Sequence, residues 1–328
     1  MNASSQITER ETNFLRALAM ILIINSHLDN YYPVRHLATG GMIGNALFLM
    51  LSSLGLYLSW HKKGQEDLAQ WYGRRMARIY PSTWICVLML MYPIAVYEKT
   101  FSPGNYLELA EPFFFPPFWF LQVLLIFYVV IYFILKHHTA RLIGIFSVSA
   151  LLVYVIYYVG FLDTAVFSIE DYPLRLVFYF LVMLYGTYLA THAESIRSSG
   201  FLDWVLLFLC GAGIYLHKYV MHSGHGSSFQ FVQHLLVFPL LYYSLKVSRH
   251  AFVERVLMKD RSISGRLITF LSGTTLELYM VQELLQTRFG MASLGFPSNA
   301  VVFVGSSTIL AVLISFLSRP LRKRLVQG

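Results

Sequence analysis

Arg16 and His27 lie eleven residues apart in an otherwise apolar run. At about 100° per residue that spacing is close to three helical turns, so a helix projects both side chains from one face. Their separation along the axis is about 16 Å, roughly half the ~30 Å thickness of a bilayer's hydrocarbon core. The reading is a cation near one membrane surface and an imidazole near mid-depth on the same stripe. Ionisable groups at such depth are expensive and point to chemistry or to an ion path. Imidazole is suited to removing a proton near neutral pH, and it is also a competent covalent acceptor. The structural alternative is an arginine that snorkels and a histidine satisfied by a neighbouring helix. Asp29 lies about 200° round the helix from His27, so it is not expected to orient that ring from within the helix.

Three further groups of residues have chemical potential. Arg74, Arg75 and Arg78 cluster before an apolar run. Arg74 and Arg78, four apart, form a two-pronged face suited to phosphate oxygens, or else a positively charged topology anchor. Glu277, Tyr279, Gln282, Glu283 and Gln286 occupy the second half of another apolar run. Tyr279, Glu283 and Gln286 share a face, and carboxylates at that depth should face a partner inside a bundle; polar packing between helices is the alternative. Trp119 and Gln122 follow Phe113, Phe114 and Phe115. They read as a stacking platform for a sugar or as an interfacial aromatic belt. Gln230 and His234, at i and i+4, line an acceptor cleft or pack polar helices. His217, His222 and His225 match no closed zinc spacing, so no metal site is expected.

The elements that must position these groups are membrane helices. Of 328 residues, 56% are hydrophobic and only 13% charged, about half the charge of a soluble domain; the mean hydropathy is +0.57. Apolar runs near the ~20-residue spanning length recur at 14–32, 41–60, 79–97, 117–135, 142–161, 174–190, 201–219, 229–246, 267–288 and 299–318. The expected fold is an all-α integral membrane protein with a bundle of about ten transmembrane helices. The Pro-rich, aromatic stretch 98–117 leaves nine or eleven open. With the N-terminus cytoplasmic, Arg35, Lys99, Arg175, Lys218 and Arg288 fall outside, and the other 20 of the 25 Lys and Arg fall inside. That bias predicts that both termini are cytoplasmic. The outer loops carry Glu98, Glu108, Glu111, Asp163, Glu170 and Asp171. The net charge of +8 is thereby explained without nucleic acid. Cys86 and Cys210 sit in apolar runs, where a structural disulfide is not expected. Neither a signal peptide nor an internal repeat is legible. The reading is a single domain over 1–328, with a polar lead at 1–11 and a basic tail at 319–328.

Arg16, ten residues and then His27 in a first membrane helix resembles the acyltransferase-3 family of membrane acyltransferases. Gly40-Gly41 and the run from Asn45 to Gly55 are similar to that family's second helix. Arg74-Arg75-Met76-Ala77-Arg78-Ile79-Tyr80-Pro81 resembles its basic turn before the third helix. Phe118-Trp119-Phe120-Leu121 and Leu278-Tyr279-Met280-Val281 resemble later landmarks. The ordered set covers nearly the whole chain. The resemblance implies a multi-pass O-acyltransferase of the bacterial cytoplasmic (inner) membrane, surrounded by membrane lipids. It would move an acyl group, acetyl above all, from cytoplasmic acyl-coenzyme A to a hydroxyl. The acceptor would be a carbohydrate: a surface-polysaccharide sugar or its lipid-linked glycan precursor. On this reading His27 is the catalytic base or acyl carrier, and Arg16, Arg74, Arg75 and Arg78 bind the donor. Glu277, Tyr279, Glu283, Trp119 and Gln122 position the acceptor or a proton. Acyl-coenzyme A is a co-substrate, with no permanently bound cofactor expected. Many family members have His where Gln282 stands, so the resemblance gives Gln282 no catalytic role. The rival reading is a transporter with Arg16, His27 and Glu277 as an ion or proton path; the missing repeat argues against it.

Overall fold

A computed structural model describes residues 7–64, 66–100, 106–137, 139–162, 173–197, 200–222, 229–259, 262–286 and 288–327. Among them the regular structure is helical, with no strand. Asp163, Glu170, Asp171 and His225 lie outside the described residues.

Seven stretches among the described residues are long and apolar enough to cross a membrane. Helix α2 (Gly41–Lys63) provides the first. Helix α3 (Leu68–Cys86) continues through a wider π-type turn at Val87–Met91 into α4 (Tyr92–Tyr97), and together they make the second. The others are α6 (Trp119–Lys136), α7 (Thr139–Gly160), α8 (Leu174–Thr191), α9 (Phe201–His222) and α13 (Ser298–Gln327).

The three remaining apolar runs differ from the sequence expectation for local reasons. The first helix, α1, is Glu9–Ser26 rather than 14–32. Thr8 and Glu11 form a reciprocal capping box: Glu11 N donates to Thr8 Oγ1 (3.2 Å) and Thr8 N to Glu11 Oε2 (3.1 Å). This starts the helix early and draws polar residues into it. The eighth run is α10 (Phe231–Ser248), which carries Gln233, His234, Pro239 and Lys246 and so falls short in hydropathy. The ninth is broken into α11 (Ile263–Gly273) and α12 (Thr275–Leu285). Gly273 is a poor helix former, and Thr274 takes φ −119°, ψ 14°, which interrupts the ladder. The 98–117 stretch contains the short helix α5 (Tyr106–Phe114).

The chain forms two compact units. The first comprises Met1–Ala19, Met42–Gln65 and Val130–Ser272. In it α9 packs on α10, and the fully buried Asp203 carboxylate meets Lys246 Nζ at 2.7 Å. Glu11 pairs with Arg249 at 3.3 Å, and Arg249 also donates to the Ala193 and Ile196 carbonyls. Burial pushes the Glu11 carboxyl above its ordinary value, with the Arg249 guanidinium pulling it back. His234 lies flat on Phe178, ring centroids 3.8 Å apart, and its Nδ1 meets the Tyr154 hydroxyl at 2.9 Å.

The second unit comprises Met20–Gly41, Glu66–Val129 and Gly273–Gly328. Here α13 packs against α3 and α12. Glu277, 2% exposed, accepts from Arg322 (2.8 Å) and from Ser82 Oγ (2.7 Å). One ion pair therefore ties the three helices together. Cys86 and Cys210 are both free.

Candidate active site

His27 is the first residue beyond α1. Its N–H still reaches the Ile23 and Ile24 carbonyls, each at 3.2 Å, so the side chain leaves in helical direction. In the observed α1, Arg16 lies two turns into the helix and His27 just beyond its end. The turn that follows is fastened from several sides. Asn25 Nδ2 donates to the Leu37 and Thr39 carbonyls (2.8 and 2.9 Å), and Asn25 Oδ1 accepts from the Tyr32 hydroxyl (2.8 Å). Tyr31 stacks on Phe303 at 4.8 Å, and Asn299 Nδ2 holds the Tyr31 carbonyl at 2.9 Å. Gly40 closes the loop with φ +105°, where a Cβ would lie 2.9 Å from Leu22 Cδ2. Only glycine meets both conditions without strain.

Helix α12 supplies the facing groups. Gln282, fully buried, accepts from His27 Nδ1 through Oε1 at 3.2 Å. Glu283 Oε2 stands 3.9 Å from His27 Nε2, beyond a hydrogen bond yet close enough for charge interaction. One turn on, Gln286 Nε2 donates to Asp29 Oδ1 at 3.2 Å. The imidazole is partly accessible, 14% for its side chain, and Glu283 more so at 38%. Because an amide oxygen can only accept, Nδ1 is the donor in this contact, and in the neutral ring the lone pair is then on Nε2. Gln282 Nε2 is buried with no hydrogen-bond partner among the described residues. A buried N–H of that kind is costly unless something else accepts from it. The cluster therefore offers a basic nitrogen, a carboxylate beside it and a spare buried donor.

The remaining sequence candidates make other contacts. Glu277 is engaged by Arg322 and Ser82. Tyr279 is buried among Phe120 and Phe118, with centroids at 5.4 and 6.4 Å. Trp119 is edge-on to Phe120, and the exposed Gln122 donates to the Pro116 carbonyl at 2.9 Å. Arg74 is paired with Glu66. Arg75 is buried, its guanidinium 4.0 Å over the Trp71 ring and bonded to the Trp71 carbonyl. Arg78 is exposed. Arg16 belongs to the first unit and is half-buried, whereas His27 belongs to the second. Of the residues that contact or hold the His27 turn, Gln282 was given no catalytic role from the sequence and Asn25 was not singled out. The available signal for the first was that many family members have His where Gln282 stands; nothing local announced the second.

A family model described as an acyltransferase domain matches residues 10–319. Among curated proteins and solved structures, none matches the chain.

Proposed function

The chain belongs to the acyltransferase-3 family, and from that membership we propose that this membrane acyltransferase esterifies a hydroxyl, with His27 as general base. The donor in this reading is an acyl-coenzyme A, acetyl being the first to test, and the acceptor a sugar of a surface polysaccharide or its lipid-linked precursor. The observation that carries it is the His27–Gln282 contact at 3.2 Å, which leaves Nε2 free to take a proton.

Nε2 accepts the hydroxyl proton as the oxygen attacks the thioester carbonyl. The carbonyl oxygen becomes an oxyanion, and the spare Gln282 Nε2–H is the donor available to it. Collapse breaks the C–S bond, the imidazolium returns its proton to the departing thiolate, and the ester and free thiol remain. Glu283 stabilises the imidazolium while it lasts. Preorganised donors aimed at a developing oxyanion and a positioned base are each ordinary sources of about 10²-fold or more in rate. Arg78, with Arg74 once it exchanges Glu66 for phosphate, is the proposed hold on the donor. The transport path through Arg16, His27 and Glu277 is not carried forward, because family membership gives acyl transfer and Arg322 occupies Glu277.

Reconstituted protein given radiolabelled acetyl-coenzyme A and a panel of sugar acceptors tests the reading. Label should reach an acceptor as a base-labile ester. Stabilisation by candidate solutes but not by coenzyme A, with no transfer to any acceptor, would overturn the donor assignment.

A further inference from the structure

We propose that the first unit carries a phosphate-binding pocket separate from the basic turn of α3, formed by Arg10 and Asn13 of α1, by Lys259, and by Gly265, Arg266 and Thr269 of α11. The cavity holds about 430 Å³, and the buried Met258 also lines it. Three cationic side chains converge on it, and no carboxylate is among the described residues lining it.

Two partly buried cations of this unit are neutralised in place, Lys246 by Asp203 and Arg249 by Glu11, whereas Arg10, Lys259 and Arg266 are exposed at the rim of the pocket. Lys259 and Arg266 have no carboxylate partner among the described residues. The two like charges of Lys259 and Arg266 at one concavity both attract an anion that enters it, the more so as it is drawn away from bulk water. The backbone is built to bring these two together. A Cβ on Gly265 would lie 2.5 Å from the Lys259 carbonyl, so only glycine lets the first turn of α11 close on that segment. Ser262 clamps the same junction, its Oγ donating to the Lys259 carbonyl (2.7 Å) and accepting from Gly265 N (3.0 Å). The start of the eleven-residue α11 adds its partial positive charge, and an arginine fork matches phosphate oxygens. Asn13 and Thr269 supply neutral hydrogen-bonding groups beside the charges.

The ligand class is a phosphate ester. It reaches a membrane surface either as a soluble nucleotide cofactor such as coenzyme A or as an anionic phospholipid headgroup. The inference does not depend on acyl transfer: phosphate recognition stands whether or not His27 is a base.

The test uses the full chain in nanodiscs. In neutral phosphatidylcholine, coenzyme A binding is titrated directly. In a second arm, retention of phosphatidylglycerol is measured by native mass spectrometry. The Lys259→Gln/Arg266→Gln variant should lower one of the two by tenfold or more, the scale of losing charge-assisted phosphate contacts. Arg255→Gln, which removes an exposed charge from the same segment but not from the pocket, should leave both near the parent. Loss of coenzyme A binding identifies the soluble source, and loss of phosphatidylglycerol alone identifies the headgroup. No binding by the parent in either arm, no change in the variant, or an equal loss in Arg255→Gln overturns the proposal. If the double variant fails to fold, the two single variants, each removing one exposed charge, decide by the same criterion.

Discussion

One nitrogen of His27 is held and the other is open, and that asymmetry gives the sharpest predictions at the residue scale. His27→Ala should insert, bind coenzyme A like the parent and lose acyl transfer by at least ~10²-fold, the usual scale for a missing general base. Gln282→Met keeps the volume but removes both the acceptor on Nδ1 and the spare donor. Its kcat should fall by about tenfold or more with KM nearly unchanged, because the interactions lost are those of the transition state. A Gln282→Met protein with parental kcat would remove the amide from the mechanism. His27 stood out in the sequence because an ionisable ring in an apolar run is costly, although a neighbouring helix could also satisfy it. Gln282 did not, since a neutral amide in a membrane helix reads first as packing glue, and only the 3.2 Å contact across 255 residues of sequence separates the two roles.

At the scale of elements, the basic turn of α3 resolves into three different arginines. Arg75 is committed to Trp71, Arg74 shares Glu66, and Arg78 is exposed. Arg78→Ala should therefore raise the KM for acyl-coenzyme A about ten- to a hundredfold, the range for a lost charge-assisted contact. Arg75→Ala should instead lower thermal stability by about 1–3 kcal/mol, through the lost cation–π contact and backbone bond, with KM little changed. Equal KM effects from both would mean that the turn acts as one electrostatic patch. The sequence showed the i, i+4 fork but could not show which arginine was already spent. Helix limits were legible to a similar degree. The capping box of Thr8 and Glu11 was written in the chain, yet hydropathy drew attention to 14–32 instead. The break at Thr274 was hidden inside a run that hydropathy reads as continuous.

For the molecule as a whole, the loop assignments can be compared within each unit. Glu11 with Arg249 puts the N-terminal segment and the end of α10 at the same end of the first unit. In the second unit Glu98 meets Arg288 at 3.4 Å, joining two segments both assigned to the outer side. Two of the cations counted towards the bias, Lys246 and Arg249, are partners in ion pairs as well as topology signals. Single cysteines placed in a background lacking Cys86 and Cys210 should report the orientation. An impermeant reagent applied to intact cells should label position 115 and spare position 255, and the reverse pattern would invert the topology. All-helical architecture and most spans were legible because apolar length is a direct physical requirement of the bilayer. The division into two compact units was not, since it depends on contacts among segments far apart in sequence.

The bond between Glu277 and Arg322 also has an order in time. The carboxylate is synthesised 45 residues before its cation, so at ~5–20 residues per second it waits roughly 2–9 s for a partner. During that interval α12 carries an acid without its cation, which would be costly wherever hydrocarbon surrounds it. The last turns of α13 thus complete the pair. A stop codon at position 319 should leave a product that quality-control proteases remove, while Glu277→Gln in the same shortened chain should restore much of its abundance. Equal loss of both shortened proteins would show that α13 is needed for its packing and not for its charge.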